Sequence, residues 1–109
     1  MLALWLVACG IPEEDYSTRR GVAECQRIER CTTGEFLSVY DDFDHCVDRL
    51  GDNLDATIEA LYQGCTYDGR EASRCVSRIS SMSCEDYAEG QANLACDIVY
   101  VCLSQETGA

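Results

Sequence analysis

Apolar side chains recur along this chain at helical spacing. Phe43, Val47, Leu50, Leu54, Ile58, Leu61 and Cys65 follow one another at intervals of three or four residues. That stripe predicts one long amphipathic helix. Ser38 or Asp41 supplies a side-chain oxygen to cap its start, and Gly64 is a natural stop. Gly51 falls inside the stripe and weakens the helix by about 1 kcal/mol relative to alanine. Upstream, Val22, Cys25, Ile28 and Cys31 recur every third residue with charges between them. They predict a helix over Thr18–Cys31, ended by Thr32, Thr33 and Gly34. Downstream, Tyr67-Asp68-Gly69 predicts a turn, and Ala72, Cys75, Val76, Ile79 and Met82 share one face of a third helix. Ser83 opens a Ser-x-x-Asp capping signal for a short helical turn near Glu85–Ala88, and Gly90 interrupts it. Cys96, Val99 and Cys102 predict a last helix over Asn93–Leu103, although Ile98-Val99-Tyr100-Val101 is a β-prone run.

No alternating strand pattern is present, so the expected fold is all-α: a small bundle of four or five short helices. With 109 residues the chain has room for one domain and a modest core. Covalent staples would help it, and the cysteines supply them. Cys25, Cys31, Cys46, Cys65, Cys75, Cys84, Cys96 and Cys102 are even in number, as a disulfide framework requires. Helix geometry narrows the pairing. Six residues of helix separate Cα atoms by ~9 Å, beyond the roughly 7 Å that a bridge tolerates. Cys25 therefore should not pair with Cys31, nor Cys96 with Cys102. Cys46 and Cys65 lie at opposite ends of the long helix, and Cys75 and Cys84 are two to three turns apart. Excluding these four pairs removes roughly two-fifths of the connectivities open to eight cysteines. Among the rest, a bond from the first helix to Cys46, across the Thr32–Leu37 loop, is favoured.

A ninth cysteine, Cys9, stands apart at the end of the apolar run MLALWLVA. Leu6-Val7-Ala8-Cys9 followed by Gly10 resembles the lipobox of bacterial lipoprotein precursors. The resemblance implies signal cleavage before Cys9 and a diacylglycerol on its thiol, where each buried methylene contributes about 0.8 kcal/mol of membrane affinity. The run departs from the usual signal in having no positive charge before Arg19 and only seven apolar residues, Leu2 to Ala8. It is far too short to cross a bilayer, which takes roughly 20 apolar residues. The expected organisation is a signal segment over residues 1–8, a lipidated tether over 9–18, and a cysteine-rich helical domain over 19–109. Pro12 and the Glu-Glu-Asp run after it, in a stretch without periodicity, are the basis for the tether.

The formal charge is −12, from twenty acidic residues against eight arginines and no lysine. Such a chain repels phosphate backbones, so nucleic acid is not an expected partner. No Cys-x-x-Cys is present to signal a redox or zinc site. The only histidine, His45, lies in DDFDHCVD on what should be a solvated helix face. Asp41, Asp42, Asp44, Asp48, Asp52 and Asp55 are dense, but their order is not that of a calcium loop, and a helix cannot wrap its own backbone around an ion. No catalytic residue, metal or cofactor is expected.

Residues 65–102, CTYDGREASRCVSRISSMSCEDYAEG…ACDIVYVC, are similar to the cysteine-rich carboxyl halves of small predicted lipoproteins of myxobacteria and related deltaproteobacteria. Ala72-x-x-Cys75, Ser83-Cys84 and the Cys96–Cys102 spacing match the recurring form. Cys25-x5-Cys31 and the helix bearing Cys46 fit it more loosely. The resemblance implies an exported envelope protein and no particular activity. The resulting expectation is a non-enzymatic binding or structural module in the periplasm or at the outer membrane, held to the membrane by its lipid, with another envelope protein as a possible partner. The alternative is an inhibitor or small-ligand carrier on a disulfide-stapled helical scaffold, which would need an apolar cavity of roughly 300 Å³ or more.

Overall fold

The computed structural model describes residues 10–32 and 36–103. Cys9 and the expected signal segment, residues 1–8, lie outside the described residues, as do Thr33 and Gly34. The fold is a small helical bundle stapled by four disulfides, as the apolar spacing and cysteine count predict.

The first helix, α1 (Glu13–Cys31), is longer than its apolar spacing suggests. Pro12 caps it with φ −58°, and Glu13, Glu14 and Asp15 occupy its first turn, where carboxylates complement the helix dipole. The Glu-Glu-Asp run is thus the opening of a helix. Residues 10–18 are not a tether: Ile11, Tyr16 and Ser17 are buried, and Ile11 N donates to Gly69 O at 3.1 Å. The contact is so close that a Cβ on Gly69 would lie 2.9 Å from Ile11 O, so only glycine fits there. The packed domain therefore includes residues 10–18, ahead of the expected start at residue 19.

A short turn of helix, α2 (Phe36–Val39), leads into α3 (Phe43–Leu61). Asp42, not Ser38 or Asp41, caps α3, its side chain accepting from His45 N at 2.8 Å. The helix closes at Leu61 with Tyr62 as its cap, so Cys65 lies beyond it, and Gly64 (φ +77°) serves the turn that follows. α1 packs against both α3 and α4 (Gly69–Ser81) and is the centre of the bundle. Where α1 crosses α3, Gly21 faces Gly51. A Cβ at Gly21 would lie 3.2 Å from Val47 O, and one at Gly51 would lie 3.7 Å from Ser17 O. The mid-helix glycine thus stands at the point of closest helix approach.

Asp68 caps α4 by accepting from Arg70 N and Glu71 N. Ser83 caps α5 (Cys84–Ala88) as the Ser-x-x-Asp signal predicts, accepting from Asp86 N at 3.0 Å. The last expected helix is not formed. α6 (Gln91–Ala95) stops at Cys96, and Tyr100–Val101 becomes strand β2, antiparallel to β1 (Thr66–Tyr67) with Thr66 opposite Val101 and Tyr67 opposite Tyr100. The β-prone run wins because Val99 inserts into the core and the Cys65–Cys102 bond holds the two short strands together.

The disulfides are Cys25–Cys46, Cys31–Cys84, Cys65–Cys102 and Cys75–Cys96. None of the four excluded pairs occurs, and the favoured bond from the first helix to Cys46 is present. Cys96 and Cys102 stay apart even though no helix separates them. The main core gathers Ile11, Tyr16, Ala23, Ala72, Cys75, Ile79, Ala92, Val99 and Tyr100, and a smaller one forms around the Cys25–Cys46 bond.

Candidate functional site

A cleft of about 400 Å³ opens between α1, α3 and the segment from α6 to β2. Tyr16, Arg20 and Glu24 line it from α1, spaced four residues apart and so on one helix face. Leu50, Leu54 and Ile58 line it from α3. These three belong to the apolar stripe that is so plain in the sequence, yet they are only half-buried. The stripe is incompletely covered because it forms a cleft wall.

In the wall of the cleft Arg20 is locked in place. Its Nε donates to Glu24 Oε2 at 2.8 Å, Nη1 to the Tyr16 hydroxyl at 3.2 Å and Nη2 to Asn93 Oδ1 at 3.3 Å. The second oxygen of Glu24 accepts from the Tyr87 hydroxyl at 2.7 Å. Burial disfavours the charge on Arg20, but Tyr16 and Glu24 more than offset it and raise the guanidinium pKa. Arg20 is therefore a fixed cation with a spread of oriented donors.

Joined to Arg20 through Tyr16 is a group of tyrosines, of which Tyr16, Tyr62 and Tyr100 line the cleft. Tyr62 and Tyr100 stack, and Tyr67 and Tyr16 pack at tilted angles against Tyr100, with centroids 5.3 and 6.2 Å away. The Tyr100 hydroxyl donates to Glu13 Oε2 at 3.0 Å, and that of Tyr67 to Ile11 O at 2.6 Å. Burial pushes the Tyr67 phenol up to about 12, helped by the charges around it. Burial also raises Tyr100 and Tyr87, reinforced by their bonds to Glu13 and Glu24, and it raises Tyr16 against the opposing pull of Arg20. These phenols stay protonated at neutral pH. The cleft thus offers stacking faces, an aliphatic wall and fixed polar groups, an assembly suited to holding a flat, partly polar group.

The residues singled out in the sequence lie elsewhere. The eight framework cysteines are paired as given above, Cys96 alone touching the cleft wall. Cys9, the expected lipid site, is outside the described residues. His45 sits in the first turn of α3, where Nδ1 accepts from Asp41 N at 2.9 Å and the ring meets Tyr40 edge-on. It serves the helix start and is not part of the cleft. Of the aspartates, Asp42 caps α3, Asp55 accepts from the Ser17 hydroxyl, and Asp44, Asp48 and Asp52 are exposed. Among the described residues no three of His, Cys, Asp and Glu gather as metal ligands would, and no helix is long and apolar enough to cross a membrane.

Sequence reasoning missed the tyrosine group and the Arg20 lock. Arg20 and Glu24 were visible as an i,i+4 ion pair. Tyr16, Tyr62, Tyr67 and Tyr100 are scattered over the chain, and only the fold gathers them. Comparison with protein families, curated proteins and solved structures finds no match to this chain.

Proposed function

We propose that this protein is an exported, lipid-anchored, non-enzymatic binding module of the bacterial cell envelope, and that it binds through the cleft between α1 and α3. The observation that carries the reading is the cleft itself. Its volume of about 400 Å³ lies within the range of ligand sites, and its polar groups are held by bonds within the protein. A purely structural module has no need of such a cleft. Four disulfides fit an oxidising compartment outside the cytoplasm. The Leu6-Val7-Ala8-Cys9 run supplies the anchor.

Two measurements test the two halves of this reading. Fatty-acid labelling in a bacterial host should mark the wild type and not Cys9→Ala, and the labelled protein should lack Trp5, the only tryptophan. Tryptophan emission from envelope-purified protein would refute cleavage. Separately, affinity capture from envelope extracts with wild type and with Arg20→Gln should differ in one retained partner. The volume of the cleft also supports a second reading, a small-ligand carrier. In that case solvent extraction of the purified protein should release a stoichiometric small molecule that Arg20→Gln fails to retain.

A further inference from the structure

The charged groups that line the cleft between α1 and α3 are of two kinds. Two of them answer each other. Arg20 and Glu24 form an ion pair at 2.8 Å, with side chains only 13% and 19% exposed, so their charges cancel within the wall. The second oxygen of Glu24 is taken by the Tyr87 hydroxyl. Asp97 is different. It lines the same cleft from the segment between α6 and β2, at an exposed position. Among the described residues its carboxylate has no hydrogen bond and no ion pair.

No second cation reaches it. Of the eight arginines, Arg20 alone lines the cleft. Arg27, the next along α1, is 7% exposed and donates to Met82 O at the carboxyl end of α4. The lining therefore carries one charge that nothing in the wall balances, and it is negative. The chain as a whole, at −12, has the same sign. An anion entering the cleft is repelled by both, and a cation is drawn to both.

The neutral lining sets the shape of the ligand. Leu50, Leu54 and Ile58 form an apolar wall, which suits a hydrocarbon body and not a bare hydrated ion. In the Tyr62–Tyr100 stack, Tyr100 is 8% exposed and Tyr62 is half-buried, so the accessible ring is that of Tyr62. A second flat ring placed there gains an aromatic neighbour. Asp97 comes three positions before Tyr100, which keeps their Cα atoms within about 11 Å. The carboxylate and the stack are thus near enough to hold two ends of one small molecule.

We propose, on the reading that the protein binds through this cleft, that its ligand is a flat aromatic ring bearing a positively charged nitrogen, the ring packed on Tyr62 and the nitrogen paired with Asp97. The probes are benzylammonium, its neutral isostere benzyl alcohol, and the anion phenylacetate. Each is titrated into the isotope-labelled, disulfide-intact protein at neutral pH and constant ionic strength. The Tyr62 ring and Asp97 amide resonances should shift saturably with benzylammonium. It should bind about fivefold more tightly than the alcohol, and phenylacetate should bind most weakly. Asp97→Asn, at an exposed position, should bring the ammonium down to the affinity of the alcohol and leave the alcohol unchanged. Tyr62→Leu should weaken both about threefold. Equal affinity for alcohol and ammonium, tighter binding of phenylacetate, a preference that survives Asp97→Asn, or unchanged binding in Tyr62→Leu would overturn the proposal and leave the cleft a binding site of another kind. If none of the three probes moves the Tyr62 ring, the cleft itself fails as the binding site.

Discussion

Tyr62 and Tyr100 lie face to face, their ring centroids 5.1 Å apart and their planes 8° from parallel. Tyr62 closes α3 and Tyr100 opens β2, so this one stack joins the long helix to the second strand beside the cleft. Both rings line the cleft, and each contributes to stability and to the shape of the proposed site.

Truncating the stack should therefore weaken the fold without abolishing it. Tyr62 is half-buried, so Tyr62→Ala should cost about 1–3 kcal/mol, below the range for a fully buried aromatic. Tyr100→Phe keeps the stack and removes the bond to Glu13, for a loss of about 1–2 kcal/mol. Urea unfolding monitored by circular dichroism measures both.

The two facing glycines should respond with opposite signs. At Gly51 a methyl group meets Ser17 O at an ordinary 3.7 Å, so Gly51→Ala should gain up to about 1 kcal/mol from helix propensity. At Gly21 the new Cβ would press on the Val47 carbonyl at 3.2 Å, and helix backbone yields poorly. Gly21→Ala should cost roughly 1–3 kcal/mol. Thermal unfolding of the two variants side by side checks the contrast.

Removing a disulfide in both partners tests the staples. The Cys25–Cys46 bond closes a separation of 21 residues and Cys31–Cys84 one of 53. Chain entropy then assigns about 3 kcal/mol to the first and about 4 kcal/mol to the second. Denaturant midpoints of the paired alanine variants should fall in that order.

Alkali should unfold the protein through its tyrosines. The Tyr67 phenol rises from its ordinary 10.0 to about 12 in the fold, chiefly by burial, and Tyr16, Tyr87 and Tyr100 rise as well. A raised phenol pKa means the native state holds the proton more tightly than the unfolded chain. The stabilisation is complete below pH 10 and is lost as pH climbs through about 12. The urea midpoint should fall across that window. Phenolate absorbance should show a group of tyrosines titrating late in the native protein and normally in urea.

The helices were legible where one face alone decides the matter. The stripe on α3, the Ser83 cap and the exclusion of a Cys25–Cys31 bond within α1 all follow from local spacing. α1 was harder to read, because as the central helix it is buried on more than one face: Gly21 and Ala23 fall outside the every-third-residue pattern, and Tyr16 precedes the expected start at Thr18. The Pro12-Glu-Glu-Asp opening looked like a polar tether because the helix-dipole preference for carboxylates produces the same composition. β2 depends on partners more than thirty residues back in the chain, Thr66 for Val101 and Tyr67 for Tyr100, which no local pattern contains. Arg27 was one charge among several between apolar positions. Its burial is decided by the end of α4, and nothing near it in the chain signals that.

The contact of Gly10 and Ile11 with Gly69 bears on how an acylated Cys9 would hold the domain. Gly10 already touches the Gly69 backbone, and Cys9 is the very next residue, one peptide unit of about 3.8 Å away. A lipid there would leave no leash. The domain would stand directly on the headgroup plane on its Gly10–Gly69 corner, free to spin but not to swing outward. Glu13, Glu14 and Asp15 would sit within a turn of the phosphates and be repelled by an anionic leaflet. The charge of the leaflet would then set the tilt of the domain, and with it the direction in which the cleft faces.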